Sequence, residues 1–265
     1  MSAQGGHGRK RQPTGISPAG RQPLHGHFEH VREWVFDLDN TLYPAHYRLF
    51  DQIDVRMGEY IARLFGIDRQ QARRIQKDYF YRYGTTLRGL MKEHGADPRA
   101  FLDYVHDIDY SHIRPDPALD AALAALPGRK WVFTNGTRAH AEAVMAQLGI
   151  SGHIDEIFDI EDADYLPKPF PETYAAFVQR TGIAPRRAAM FEDIARNLKE
   201  PHEMGMRTVL VDHPDNEDAC CINDRHGDRE AEYVHFVTDD LARFLARITG
   251  LEERDGGKER REAAE

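Results

Sequence analysis

The chain has no run of about eighteen apolar residues, the minimum for a helix that crosses a bilayer, so no membrane-spanning segment is expected. Its first residues carry no apolar stretch of the secretory kind, so no leader is expected either. Cysteine is nearly absent. Cys220 and Cys221 are adjacent and cannot build a disulfide framework, which fits a reducing, cytoplasmic setting. A vicinal pair can hold a metal together with His213 or His226. The ligand spacing is irregular, however, and two ordinary thiols in the acidic loop 212–231 are the simpler reading. Positive charge is in deficit: 35 Lys and Arg face 44 Asp and Glu, a net charge of −9. Such a chain is a poor general ligand for a nucleic-acid backbone, and no nucleic-acid partner is expected. A small anionic substrate would have to meet a local cationic site, with a metal.

Both ends lack the means to build a core. Residues 1–28 hold six Gly, three Pro, four basic residues and no acid, and read as a disordered tail. Residues 252–265 hold ten charged residues among fourteen and read as a solvated charged tail. The 265 residues, 41% hydrophobic, still suffice for one large domain or a core with a smaller insert.

Between the tails, short apolar runs alternate with helical periodicity. Glu33–Phe36 runs into Asp37, Lys130–Phe133 into Thr134, and Ala188–Phe191 into Glu192 and Asp193. Arg207–Val211 is a fourth such run. Asp116-Pro117 pairs an N-cap with a first-turn proline, and 137–148, 171–181 and 195–204 read as further helices. Strands alternating with helices predict an α/β fold, a doubly wound parallel sheet whose ligands bind at the carboxyl ends of the strands. Residues 29–43 and 115–251 are assigned to that core. The segment 44–114 breaks the alternation. Leu49, Ile53, Met57, Ile61 and Phe65 recur every fourth residue, and Asp68 and Asp97-Pro98 look like helix starts. A helical cap inserted after the first strand stands where a lid would stand.

The sharpest local signal is Phe36-Asp37-Leu38-Asp39-Asn40-Thr41-Leu42-Tyr43, with two acids two apart at a strand end. Both carboxylates can face one cleft, and their repulsion calls for a cation or a shared proton. An isolated pair of this kind is as often a plain loop. Three further features follow in order: Thr134-Asn135-Gly136, 97 residues on; Lys168 between two prolines, 34 further; Glu192-Asp193, ending 25 beyond that.

In this order the four features resemble the motifs of the haloacid-dehalogenase superfamily, and the insert resembles its helical cap of the first type. The resemblance implies a phosphohydrolase in which Asp37 attacks phosphorus and forms an aspartyl phosphate. Asp39 would act as general acid and then as base. Thr134, Asn135 and Lys168 would bind the phosphoryl oxygens. Mg2+ would be held by Asp37, the Asp39 carbonyl and Asp193, with Glu192 in or just outside its shell. Asn197, where many members carry an acid, is given a supporting role. The insert segments Tyr83–Leu90 and Val105–Tyr110 resemble the pyrimidine 5′-nucleotidase group, which implies UMP- or CMP-like substrates with Arg88 as recognition residue. Cap packing explains those residues about as well. A sugar-phosphate or broad-specificity phosphatase, a phosphomutase, a metal-free dehalogenase and a non-catalytic scaffold remain as rivals. Asp39 argues against the dehalogenase, and the undamaged motifs against the scaffold.

Overall fold

In the computed structural model, residues 23–213 and 229–251 are described. Six parallel strands make one sheet: β1 (Glu33–Phe36), β2 (Arg129–Phe133), β3 (Glu156–Phe158), β4 (Ala188–Glu192), β5 (Arg207–Val211) and β6 (Phe236–Thr238). Their order is β3-β2-β1-β4-β5-β6. The strand order reverses about β1, which puts the ligand crevice of such a sheet beyond the carboxyl ends of its central strands. The central strands are buried on both faces, which is why they read as unbroken apolar runs. Gly128 closes the entry to β2 at φ 90°, where a Cβ would lie 2.2 Å from the Arg32 carbonyl oxygen. Only glycine fits that approach.

Helices cover both faces of the sheet. Leu119, Leu123, Val144 and Leu148 pack on one side from α5 (Pro117–Ala125) and α6 (Arg138–Leu148), joined by Phe244 and Leu245 of α9 (Leu241–Thr249). Tyr174 and Phe177 of α7 (Pro171–Thr181) pack on the other, with Leu198 beside them. The helix expected over 195–204 is divided, a 3-10 turn at Ala195–Leu198 followed by α8 (Lys199–Glu203). Two strands, β3 and β6, were not anticipated. Each has only three residues, too few to show a periodicity. The tail expected to reach residue 28 needs correction at its end. Leu24–His27 forms a 3-10 turn, and Phe28, 2% exposed, stacks on Trp34 and meets Phe236 and Phe244. One aromatic ring with three aromatic partners is enough to anchor a segment whose composition is otherwise that of a coil.

Between β1 and α5 the described chain holds helices and no strand. They are α1 (Leu49–Phe65), α2 (Arg69–Tyr83), α3 (Thr86–His94) and α4 (Pro98–Val105). Ile53, Ile61, Leu90, Phe101 and Leu102 form an apolar cluster of their own. Asp68 caps α2 in a reciprocal capping box with Gln71, and Asp97 caps α4. Gly89 lets α3 approach α2, since a Cβ there would lie 2.4 Å from Tyr79. The insert is tied to the sheet domain through Ile160 and Tyr165, which pack into its cluster, and through the Arg99–Glu161 ion pair. Cys220, Cys221 and His226 lie outside the described residues.

Candidate active site

Leu38 is fully buried, so the alternation of an extended chain sends Asp37 and Asp39 to the opposite side together. The Asp37 amide still bonds to the Phe191 carbonyl at 2.9 Å, which keeps Asp37 level with the end of β4. The chain then turns through Asn40, which takes the left-handed φ of 60° that asparagine tolerates. In the same way the Thr134 amide bonds to the Phe158 carbonyl at 3.1 Å, extending β2 by one residue.

Lys168 joins these strand ends. Its Nζ donates to Asp37 Oδ1 at 2.6 Å, Glu192 Oε2 at 2.8 Å and the Phe133 carbonyl at 2.8 Å. All three donor positions of the ammonium are engaged, and the residue is 2% exposed. Asn135 grips the Lys168 backbone from both sides: its Oδ1 accepts the Lys168 amide at 2.8 Å and its Nδ2 donates to the carbonyl at 3.4 Å. The Asn135 side chain is therefore committed to placing Lys168. What it offers to an anion is its main-chain N–H. Thr134 Oγ1 accepts the Gly136 amide at 2.9 Å and keeps its own proton to donate. Both Glu192 oxygens are occupied too, Oε2 by Lys168 and Oε1 by Asn197 Nδ2 at 2.8 Å.

Asp37, Glu192 and Asp193 bring carboxylate oxygens within 4.8 Å of one another, all buried. Burial first, and then the Glu192 charge, pushes the Asp37 carboxyl up to about 7, while Lys168 pulls the other way. Burial and the charges of Glu192 and Asp37 push Asp193 well above the ordinary carboxylate range. Lys168 moves up as well, because its two carboxylate partners outweigh its burial. With all three carboxylates ionised, one ammonium leaves an excess of two negative charges, which one divalent cation would offset. Hard oxygen donors suit Mg2+, so the residues present fit that ion.

Asp39 has a different environment. Tyr43 donates to its Oδ1 at 2.6 Å, and His140 Nε2 lies 2.9 Å from the same oxygen. Burial raises this carboxyl, but the His140 charge and the two hydrogen bonds outweigh it and hold it below the ordinary range. Two acids two residues apart are thus shifted in opposite directions: without a cation the proton is favoured on Asp37, and a divalent ion among the three carboxylates would bring Asp37 back toward its ionised form. His140, Tyr43 and Tyr110 were not singled out from the sequence. The available signal was His140 itself, a polar residue beside the apolar stripe Ala141, Val144, Met145 and Leu148 of α6.

Arg88 lies apart from this cluster. Its guanidinium sits 3.8 Å above the centre of the Phe170 ring, two residues from Lys168. Its Nη1 is buried without a hydrogen-bond partner, and burial lowers its pKa. His106, from the other insert segment, stacks on His140 with ring centroids 4.5 Å apart.

A family model for haloacid dehalogenase-like hydrolases matches residues 34–205. Phosphate metabolism protein 8 of Saccharomyces cerevisiae is 29% identical over 196 residues, covering 67% of this chain and 60% of that protein. The chain thus spans about three fifths of that relative's length. Fructose-1-phosphate phosphatase YqaB of Escherichia coli is 24% identical over 193 residues, covering 69% of this chain and 98% of the relative. Among solved structures, L-2-haloacid dehalogenase from Xanthobacter autotrophicus gives a TM-score of 0.50 at 19% identity, covering 83% of this chain and 99% of the other. At that identity the likeness concerns the fold alone. No helix among the described residues is long and apolar enough to cross a membrane.

Proposed function

The chain belongs to the haloacid dehalogenase-like hydrolases, and on that premise we propose that it is a Mg2+-dependent phosphohydrolase working through an aspartyl phosphate. The observation that carries the proposal is the buried set of Asp37, Glu192 and Asp193 around the Lys168 ammonium. Asp37 has a free oxygen for attack while Lys168 holds the other, so the nucleophile is oriented before substrate arrives. The Thr134 hydroxyl and the Asn135 main-chain N–H are donors for the equatorial phosphoryl oxygens, and Lys168, its three N–H bonds committed, adds the positive charge of its ammonium. Asp39 donates a proton to the leaving oxygen and then takes one from the attacking water. A phosphate dianion beside it raises its proton affinity, which offsets the pull of His140 and Tyr43 in the resting site. Mg2+, held by Asp37, the Asp39 carbonyl and Asp193, would supply charge neutralisation between carboxylate and phosphate. Glu192, with both oxygens committed, acts by placing Lys168 from just outside that shell.

The proposed substrate is a pyrimidine nucleoside 5′-monophosphate, recognised through the helical insert 44–114 acting as a cap. Support comes from Arg88, whose unpartnered Nη1 offers a donor to a base carbonyl or ribose oxygen. A single charge-assisted bond of this kind is worth roughly 1.5–3 kcal/mol. The second reading, a sugar-phosphate phosphatase, is favoured by the likeness to YqaB over nearly that relative's full length. Phosphate release from UMP, CMP, AMP, GMP and a set of sugar phosphates, with Mg2+ and with chelator, tests all three layers. Equal turnover of sugar phosphates and UMP would remove the nucleotidase assignment. Undiminished activity in chelator would remove the metal-dependent mechanism.

A further inference from the structure

A line of polar side chains runs from the connection after α4 to Asp39. The Tyr110 hydroxyl donates its single proton to the His106 carbonyl at 3.0 Å. The same hydroxyl lies 3.0 Å from His140 Nδ1. These contacts turn the ring so that Nε2 faces Asp39 Oδ1 at 2.9 Å, where an N–H on Nε2 donates to the carboxylate. The His140 backbone is held as well: its amide donates to Oγ1 of Thr137, the N-cap of α6, at 3.2 Å. Above the imidazole lies the His106 ring, nearly parallel at 9°, with its Nδ1 3.2 Å from the same Thr137 hydroxyl. His140 is 1% exposed.

At the far end, both Tyr43 and His140 contact Oδ1 of Asp39. Among the described residues, no donor is directed at Oδ2. One carboxylate oxygen is pinned and the other is left for chemistry.

We propose that His140 is the positioning residue for Asp39: it pins Oδ1, aims Oδ2 at the leaving group, and is itself held in register by Tyr110 and His106. The inference rests on the reading of Asp39 as acid and base. In the first displacement the Asp37 oxygen–phosphorus bond forms, the bond to the leaving oxygen breaks, and the proton on Asp39 Oδ2 passes to that oxygen. In the second, a water oxygen bonds to phosphorus, the bond to Asp37 breaks, and the water proton passes to Asp39. Neither step consumes His140, whose part is to hold the carboxylate. Because Tyr110 and His106 belong to the segment that returns from the insert, docking of that segment and readiness of the acid are linked.

A buried histidine that merely fills space would, on removal, slow all substrates alike. A misplaced general acid slows only those substrates that need a proton. The test is therefore kcat/KM on p-nitrophenyl phosphate, phenyl phosphate and glycerol 2-phosphate, which report the phosphoryl-transfer step across leaving groups of rising basicity. His140→Ala should lose about 10–100-fold on glycerol 2-phosphate and less than about 3-fold on p-nitrophenyl phosphate, within the range that general acid catalysis supplies. His140→Gln, which returns an N–H near the Nε2 position, should recover to within about 5-fold of the parent on the alkyl ester. Tyr110→Phe should show a smaller loss with the same selectivity. In an Asp39→Asn background His140→Ala should cost nothing further, the sign of a residue acting through Asp39. An equal loss on all three esters, or no loss on any, overturns the proposal. Should His140→Ala fail to melt cooperatively, Tyr110→Phe and His140→Gln decide by the same criterion. A parent inactive on every ester, or an Asp37→Asn variant as active as the parent, would instead overturn the phosphohydrolase reading itself.

Discussion

Lys168→Met tests the electrostatics of the site most severely, because it keeps the side chain's approximate length and removes the one ammonium from among three carboxylates. The bonds lost are those to Asp37 at 2.6 Å, Glu192 at 2.8 Å and the Phe133 carbonyl at 2.8 Å. Breaking a buried ion pair from one side costs about 3–5 kcal/mol, because the surviving charge is left in a poorly solvated place. For a chain of this size each kcal/mol moves the melting temperature by about 2–4 °C, so the variant should melt roughly 6–20 °C lower at pH 8 without metal.

The deficit should also depend on pH. Asp37 titrates at about 7 in the folded parent against an ordinary 3.8, and Lys168 is what holds it that low. A carboxyl raised in the folded state costs no stability below its unfolded pKa. The cost then grows as pH rises toward the folded pKa and stays constant above it. Without Lys168 the folded value climbs further, so the additional cost appears above about pH 7 and is small at pH 5.5, where Asp37 is protonated in both proteins. Thermal melting of parent and variant in chelator at the two pH values reads this directly. A variant within 2 °C of the parent at pH 8, or a deficit of the same size at both values, would refute the reasoning.

Asp37→Asn should abolish phosphate release while melting normally, since an amide of the same shape cannot attack phosphorus; retained activity within about tenfold would remove the nucleophile. Mg2+ at about 100 times its Kd should stabilise the parent by about 2.7 kcal/mol, roughly 5–11 °C in melting temperature. At one fixed Mg2+ concentration the shift should be larger at pH 8 than at pH 5.5, because at the lower value protons on Asp37 and Asp193 compete with the cation and raise its Kd; an equal shift would place the ion elsewhere. Asp193→Ala should raise the Mg2+ concentration needed for half-maximal activity by at least tenfold, measured by titration of phosphate release. Arg88→Ala should lower kcat/KM for UMP by about one to two decades and leave p-nitrophenyl phosphate nearly unchanged; an unaltered ranking of substrates would place base recognition elsewhere.

What could be read in the sequence was whatever depends on neighbours along the chain. Val35, Val132 and Met190 are buried on both sides of a parallel sheet, so their strands announce themselves as apolar runs, and the polar residue ending each run marks the crevice. Asp68 and Asp97 were legible as caps because a cap is a contact with the next two or three residues. The three-residue strands β3 and β6 exist only because β2 and β5 offer them a hydrogen-bonding edge. No local pattern encodes that. The same division runs through the site. Asp37, Lys168 and Asp193 stand in recognisable settings, whereas the Asp39–His140 contact joins residues 101 apart and the Tyr110–His140 contact residues 30 apart.

The difference has a physical origin that bears on mechanism. Lys168 sits where the backbone of a crossover loop returns to the sheet, fixed by Asn135 at the end of β2, so its place follows from the topology of the strands alone. His140 also sits on the sheet domain, in the first turn of α6. Its orientation, however, is completed by Tyr110 and His106 from the segment that leaves the insert. On the proposed roles, Asp37 is therefore prepared by the parallel sheet itself, and Asp39 by a junction between the sheet and the insert. A phosphoryl enzyme needs its nucleophile ready at all times but gains from an acid–base group that is ready only when the site is covered, because an exposed acyl phosphate meets bulk water. On this argument, substitutions in α1–α4 that loosen the insert should lower turnover of poor leaving groups before they affect phosphoryl transfer from good ones. Gly89→Ala, which would force α3 away from Tyr79 on α2, is the direct perturbation. Its effect on glycerol 2-phosphate should exceed that on p-nitrophenyl phosphate by about tenfold, and equal effects would show the acid to be prepared without the insert.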